Sequence, residues 1–183
     1  MYLYNYNKLI NLIFFLKRNY NLHGIKAEFE AEGSSFEDVW FLRAITHKTK
    51  TKLFVKIGGV EALSDIYKCI EIGVDGIIAP MVETKFGAEK FISLIKNLKI
   101  DKIPYLTINI ETKDGYKNLR DILLSSKNTI NNITIGRSDF SKSYFDPKIV
   151  PDSNFVQEKI IEISKKARFF GITTTVGGSV SQN

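Results

Sequence analysis

The chain has 183 residues, 44% of them hydrophobic and 25% charged, a composition that indicates one globular domain and argues against disorder. The net charge of +6 comes from lysines spread along the whole length, which disfavours nucleic-acid binding and suits a small carboxylated ligand. Cys69 is the only cysteine, which excludes an intrachain disulfide and a CxxC metal site and favours a reducing, cytoplasmic location.

The N-terminal segment is predicted to be a helix over residues 7–20, because its apolar residues recur at three- and four-residue spacing. The apolar run over residues 9–16 is too short to cross a bilayer. No small-residue cleavage site follows it. We therefore expect no membrane partner.

Beyond this helix, short apolar runs alternate with amphipathic segments of helical length, the pattern of parallel βαβ units. The predicted strands, six in number, cover residues 25–31, 53–57, 76–81, 105–110, 132–135 and 172–176. The helices between them are predicted over residues 36–46, 61–72, 85–98, 116–124 and 154–169. Gly24, Gly73 and Gly171 stand where a helix ends and a left-handed residue is favoured.

The polarity of the first strand favours a barrel over an open sheet. Lys26, Glu28, Glu30 and Glu32 share one face of this strand, because side chains alternate with period two. An open sheet covered by helices on both faces would bury these charges in an apolar layer. The predicted fold class is therefore α/β, a TIM-type (β/α) barrel that is incomplete, with about six βα units. The alternative is a first strand at a solvent-exposed edge.

The barrel units cover residues 24–183, and together with the N-terminal helix they form the single domain expected over residues 1–183. Six units do not close an eight-stranded ring. We therefore expect either a fragment or truncated homologue, or a homo-oligomer in which a partner completes the ring.

Polar residues follow the C-terminal ends of the predicted strands, where barrel active sites form. They include Glu32, Lys56, Glu111 and Asp139. Glu111 and Asp139 follow adjacent strands, and two such carboxylates are able to hold one Mg²⁺ or Mn²⁺. The alternative is that Asp139 caps a helix or a turn and that Glu111 pairs with Lys113 or Lys56.

Other catalytic patterns are missing from the sequence, which contains no Walker, nucleophile-elbow or HExxH motif. His23 and His47 precede strands and are expected to be structural or solvated, away from the site. Residues 177–179 form a glycine-rich loop whose backbone groups are able to receive an anion.

Six segments resemble, in order, the motifs of the HpcH/HpaI aldolase and citrate lyase family. They are GIKAEFEAEGSS, VKIGGVEAL, GVDGIIAPMVET, TINIET with GYKNL, IGRSDFS and TTVGGSVS, and they extend over about residues 20–181. The resemblance implies a barrel of the pyruvate/phosphoenolpyruvate type. It also implies divalent-metal chemistry on a 2-oxo acid, or on an acyl thioester, through an enolate.

The resemblance implies specific roles for several residues. The metal-binding glutamate and aspartate of the family correspond to Glu111 and Asp139, and an arginine that binds substrate corresponds to Lys56. The implied substrate-binding positions are Asn109, Gly136, Arg137 and Ser138. The backbone at Gly136 and Arg137 is implied to contact the substrate carboxylate. Two positions depart from the family. Gly33 stands where the aldolases have a histidine, and Lys56 keeps a positive charge without the planar fork of arginine.

The predicted function is that of a metal-dependent carbon–carbon lyase or aldolase. Glu111 and Asp139 hold the cation as a Lewis acid, and Lys56 stabilises the developing oxyanion. Glu32 or a bound water moves the proton. The alternative is a catalytically silent barrel that binds a carboxylated ligand or a partner subunit.

Overall fold

The structure is a computed structural model that describes residues 2–180 of the chain, and within them six strands alternate with eight helices. The strands follow one another in the sheet in chain order. The elements are α1 (Tyr2–Tyr20), β1 (Gly24–Glu28), α2 (Phe36–Thr49), β2 (Lys52–Lys56), α3 (Leu63–Ile72), β3 (Gly76–Ala79), α4 (Lys85–Asn97), β4 (Tyr105–Ile110), α5 (Lys113–Lys117), α6 (Leu119–Ser126), β5 (Asn132–Gly136), α7 (Arg137–Lys142), α8 (Asn154–Phe169) and β6 (Thr173–Gly177).

This succession confirms the predicted class, an incomplete TIM-type α/β fold of six βα units. The chain divides into two units, with the main boundary inside β3 and residues 59–62 grouped with the second unit. None of the described helices has the length and apolar character needed to cross a membrane.

The first unit is built on the parallel pair β1 and β2, in which Glu28 lies opposite Lys56. Ile10 and Ile13 of α1 pack with Ile45 of α2 in a buried cluster. The start of α2 is fixed by a capping box, because Ser35 Oγ accepts from the Asp38 N–H and the Asp38 carboxylate accepts from the Ser35 N–H. This capping sets where the loop after β1 ends.

The second unit contains the parallel strands β4, β5 and β6. The inner strands are apolar and fully buried at Ile108, Ile110 and Ile135, which suits a sheet covered by helices. Gly136 at the end of β5 lies opposite Gly177 at the end of β6. The candidate residues that follow β4, β5 and β6 therefore lie at the same edge of the sheet, at the C-terminal ends of three neighbouring parallel strands.

Most predicted bounds are within a few residues of the observed ones, but several predictions differ from the structure. The N-terminal helix begins before residue 7, and Tyr6 packs on Phe41 with ring centroids 5.9 Å apart. β1 ends at Glu28 rather than at residue 31, because the chain turns and the Gly33 N–H donates to the Glu30 carbonyl at 3.0 Å.

Another difference concerns Gly24, which does not cap a helix. It is the first residue of β1, and a β-carbon there would come within 2.7 Å of the Phe54 ring, so close packing explains this glycine. The left-handed residue after α1 is Asn21, at φ 53°. Gly73 and Gly171 do have the predicted left-handed conformation, with φ values of 70° and 73°.

Two short helices were not predicted at their observed places. The helix expected over residues 116–124 is divided into α5 and α6, and α5 begins where Thr112 Oγ1 accepts from the Gly115 N–H at 3.1 Å. Residues 137–142, which lie outside the predicted helices, form α7. Asp139 therefore lies in the first turn of a helix.

Candidate active site

Glu111 is the central candidate residue of the second unit. It follows β4 directly and is only 3% exposed. Its Oε1 atom accepts a hydrogen bond from the Met81 N–H at 3.0 Å, and its Oε2 atom accepts one from Asn109 Nδ2 at 3.1 Å. Two donors thus orient a buried carboxylate. Asn109 shares the strand face of Glu111 because side chains alternate along β4.

Gly136 brings the end of β5 against this carboxylate. A β-carbon on Gly136 would lie 2.5 Å from Glu111 Oε2. Any residue other than glycine at this position would therefore displace the carboxylate. α7 begins at the next residue, and Asp139 lies in its first turn, half-buried. Within residues 2–180, no hydrogen bond or ion pair occupies the Asp139 carboxylate.

A further oxygen belongs to the same strand end. Asn109 is buried, and its Oδ1 atom has no hydrogen-bond partner among the described residues. An unpaired buried polar atom costs free energy. The described part of the chain contains no cluster of three or more His, Cys, Asp or Glu side chains suited to a metal. Any cation at this place would therefore depend on two carboxylates, amide oxygen and water or substrate.

The side chain of Arg137 joins two segments of the chain, the loop after β6 and the segment before α8. Its Nε and Nη2 atoms donate to the carbonyls of Gly178 and Ser179 at 3.1 and 2.5 Å. Its Nη1 atom forms an ion pair with Asp152 at 2.7 Å. The guanidinium therefore fastens the loop after β6 to the segment that precedes α8, whereas the resemblance implied only a role of the Arg137 backbone with substrate.

The loop after β6 approaches the start of α7 closely. A β-carbon on Gly178 would lie 2.8 Å from Ser138 Oγ and 3.0 Å from the Ser138 nitrogen. Gly178 also has φ 83°, a conformation that favours glycine. Ser138 Oγ and Ser179 Oγ share a hydrogen bond of 2.8 Å. Ser138 and the predicted anion-receiving loop over residues 177–179 are thus in direct contact.

Lys56 and Glu32, the candidates of the first unit, belong to one charged network. Lys56 Nζ pairs with Glu28 Oε1 at 2.6 Å, and Lys26 Nζ contacts both Glu28 at 3.1 Å and Glu32 at 2.9 Å. Glu28 is 4% exposed, whereas Glu32 lies in an exposed turn. The partner of Lys56 is Glu28, which lies opposite it in the register of β1 and β2.

This network shifts the pKa values of Glu28 and Lys26. Burial acts to raise the pKa of Glu28, but its hydrogen bonds and ion pairs with Lys56 and Lys26 outweigh burial and lower the pKa below its ordinary value. Burial acts to lower the pKa of Lys26, and the contacts with Glu32 and Glu28 outweigh it, so that this pKa is raised. Glu28 is thus held as a carboxylate.

The two histidines lie on exposed parts of the first unit. His23 stacks on Phe54 with ring centroids 6.2 Å apart, and His47 is near the end of α2. Gly33, the position where a histidine was expected from the family pattern, is exposed with φ 64°. The other candidates, Glu111 and Asp139 with Asn109 and residues 136–138, belong to the second unit.

Comparison with known proteins gives one family. The model of the HpcH/HpaI aldolase/citrate lyase family matches residues 40–177. No curated protein matches the chain.

Several solved structures share the fold. An HpcH/HpaI aldolase from Desulfitobacterium hafniense DCB-2 is 14% identical with a TM-score of 0.76, and the match covers 97% of this chain and 75% of that one. The citrate synthase SbnG is 18% identical with a TM-score of 0.77, over 96% and 73% of the two chains. A citrate lyase from Burkholderia xenovorans LB400 is 12% identical with a TM-score of 0.74, over 96% and 62%. At these identities the likeness establishes the fold alone.

Proposed function

The chain belongs to the HpcH/HpaI aldolase/citrate lyase family, and we propose that it is a metal-dependent carbon–carbon lyase acting on a 2-oxo acid or a related acyl thioester. The family fold supports a lyase-type function. The observation that carries the proposal is the buried Glu111 carboxylate, which is oriented by Met81 and Asn109 and lies against Gly136.

The donor set of the second unit fits a hard divalent cation. Glu111 and Asp139 supply carboxylate oxygens. Asn109 Oδ1, on the strand that Glu111 follows, is a buried oxygen without a hydrogen-bond partner among the described residues. Oxygen ligands of this kind suit Mg²⁺ or Mn²⁺. When bound, such a cation supplies Lewis-acid polarisation of a substrate carbonyl.

The protein groups have separate tasks in this proposal. The Met81 N–H and the Asn109 amide hold the Glu111 carboxylate in one orientation, which limits the rearrangement needed during reaction. The backbone of residues 136–138 receives the substrate carboxylate. Asp139 is available for a ligand because no described group occupies its carboxylate.

Lys56 and Glu32 enter the proposal as predictions carried over from the sequence. Lys56 is the candidate for stabilising an oxyanion, and Glu32 for moving a proton. Lys56 Nζ lies 2.6 Å from Glu28 Oε1, so the ion pair with Glu28 holds the amine in place.

The test is metal-dependent release of pyruvate. Purified protein is incubated with 4-hydroxy-2-oxo acids and with malyl and citramalyl thioesters, with and without Mn²⁺, and the pyruvate or acyl product is quantified. Glu111→Gln and Asp139→Asn are expected to reduce turnover to background, whereas the exposed Glu158→Gln on α8 is the matched control. Turnover without metal, or turnover unaffected by both changes, contradicts the proposal.

One observation favours a second candidate function, a catalytically silent barrel that binds a carboxylated ligand or a partner subunit. Gly33 supplies no side chain for proton transfer where the family pattern has a histidine. Oxalate, which mimics a pyruvate enolate, distinguishes the two. Mn²⁺-dependent oxalate binding without turnover of any substrate favours the silent barrel.

A further inference from the structure

A cleft of about 500 Å³ opens beside Ser138 in the second unit. This volume lies within the range of small-molecule sites, roughly 300–1,000 Å³. Ser138, Ser141 and Ser179 line it with hydroxyl groups. Its apolar lining consists of Phe145, Pro147, Ile149, Val150 and Pro151.

Phe145 is held at this cleft in a costly position. Its side chain is 95% exposed, and its backbone has φ 54°, in the left-handed region that residues other than glycine adopt rarely. Val150, on the same cleft, is also exposed. A ligand that covers these two side chains removes apolar surface from water and gains free energy.

The cleft is continuous with the proposed substrate site at Ser138, which belongs to both. Ser138 is the last residue of the 136–138 segment, and its hydroxyl shares a hydrogen bond with Ser179. Arg137 holds the Ser179 carbonyl and so fixes that wall. A substrate whose carboxylate meets this segment therefore has its distal part within reach of the apolar walls.

Charge at the cleft favours a neutral distal group. Lys142 and Asp146 carry opposite charges on the lining and offset each other. A charged group would lose hydration against proline, isoleucine and valine without gaining a net partner charge. An aliphatic or aromatic group meets no such cost.

We propose that this cleft binds the apolar distal part of the substrate, so that the substrate is a 4-hydroxy-2-oxo acid with an unbranched alkyl or a phenyl group on C4. This inference rests on the proposed function. In the cleavage, the C3–C4 bond breaks and its electron pair stays on C3 as an enolate. The 4-hydroxyl loses its proton and becomes the aldehyde carbonyl, and C3 takes up a proton to give pyruvate. The apolar aldehyde leaves from the cleft.

The experiment is a ladder of 4-hydroxy-2-oxo acids that carry methyl, propyl or pentyl on C4, assayed for pyruvate release in Mn²⁺ to give kcat/KM. Each added methylene is expected to raise kcat/KM about threefold to fourfold until the cleft is full. Phe145→Ala and Val150→Ser are expected to flatten this ladder. Phe169→Ala is the matched control, because Phe169 is 85% exposed and does not line the cleft.

A second measurement separates failure of the cleft from failure of the proposed function. Hexan-1-ol, which carries the apolar chain without the 2-oxo acid, is titrated while backbone amide resonances are followed by NMR. Shifts of the amides of Phe145, Ile149 and Val150 support the cleft. If the ladder is flat in the wild type while short acids bind and release pyruvate, the cleft assignment is overturned and the lyase stands. If hexan-1-ol binds in the cleft but no ladder acid releases pyruvate, the substrate assignment falls together with the lyase.

Discussion

The carboxylate of Glu111 and the α-carbon of Gly136 are packed directly together. The virtual β-carbon of Gly136 would lie 2.5 Å from Glu111 Oε2 and 2.8 Å from Glu111 Cβ, closer than side chains tolerate. The glycine at the end of β5 is therefore required by the side chain that follows β4. The glycine at position 136 is therefore needed for the observed position of Glu111, the proposed metal-binding carboxylate.

Gly136→Ala is expected to displace the Glu111 carboxylate and to lower the free energy of unfolding by about 1–3 kcal/mol, as overpacking does in other proteins. Urea denaturation measures this loss, and the Mn²⁺ response of the variant should fall with it. The control is Gly59→Ala, because a β-carbon there meets nothing within 4 Å. Equal effects of the two changes contradict the packing argument.

A second prediction concerns acid stability through Glu28. Its pKa is lower in the folded chain than the ordinary 4.5, so the carboxylate stabilises the fold above that pH, and the contribution is lost as the pH falls through the folded pKa. Glu28→Gln removes this contribution. The wild type should therefore lose more stability than the variant on acidification below about pH 4.5. Urea midpoints at pH 7, 5, 4 and 3 test the difference.

Substitution of Lys56 gives an independent test of the ion pair between Lys56 and Glu28. Lys56→Met leaves Glu28 buried with Lys26 alone, and removing one partner of a buried pair is strongly destabilising, by up to about 3–5 kcal/mol. The double variant Glu28→Gln with Lys56→Met should recover part of this loss. Additive effects in the double-mutant cycle mean that the pair does not interact in solution.

Cys69 gives a third prediction. Burial, with a smaller contribution from Asp65, raises the pKa of this thiol to about 12. Because the thiolate is the reactive form, native protein should not react with a thiol reagent at pH 7. Reaction should be complete in urea and should follow unfolding of the first unit. Fast labelling of the native protein contradicts the buried position of Cys69.

Sequence patterns predicted most of the fold because local signals agree with the final packing. β4 (Tyr105–Ile110) and α8 (Asn154–Phe169) were predicted at their observed bounds, the first from strict alternation and the second from helical spacing. The end of β1 was wrong because Lys26 to Glu32 alternate in sequence although the chain turns at Glu30. α7 was missed because a helix of six mostly polar residues is too short to show the three- and four-residue spacing of apolar side chains by which longer helices are recognised.

The contacts at the candidate site were harder to predict from sequence. Arg137 pairs with Asp152 across a connecting segment, and Lys56 meets Glu28 through strand register. The Arg137–Asp152 contact does not follow from residue spacing, and the Lys56–Glu28 contact depends on the strand register as well as on the spacing. The roles of the candidate site residues, Mg²⁺ dependence, a cytoplasmic location and a homo-oligomer stay predictions.

A fourth prediction concerns the Arg137 clamp. Arg137→Lys keeps the charge but loses the planar fork that reaches two carbonyls at once. The amides of residues 177–179 should then exchange with solvent about tenfold faster, because the loss of such hydrogen bonds is worth roughly 1–2 kcal/mol. Hydrogen exchange measures this, with the exposed Arg120→Lys on α6 as the control. Unchanged exchange in both variants contradicts the clamp.

The last prediction concerns the cation. Glu111 and Asp139 bring two negative charges to consecutive strand ends, and a divalent cation between them relieves their repulsion. Mn²⁺ at about 100 times its Kd should stabilise the fold by about 2.7 kcal/mol, which raises Tm by about 5–10 °C for a chain of this size. Glu111→Gln and Asp139→Asn should each lose most of this shift, and both variants should melt higher than the wild type without metal. His23→Gln and His47→Gln should keep the full response, which distinguishes carboxylate from histidine ligation. A wild-type Tm that does not move in millimolar Mn²⁺, or that moves equally in both carboxylate variants, removes the proposed site and the enolate chemistry that depends on it.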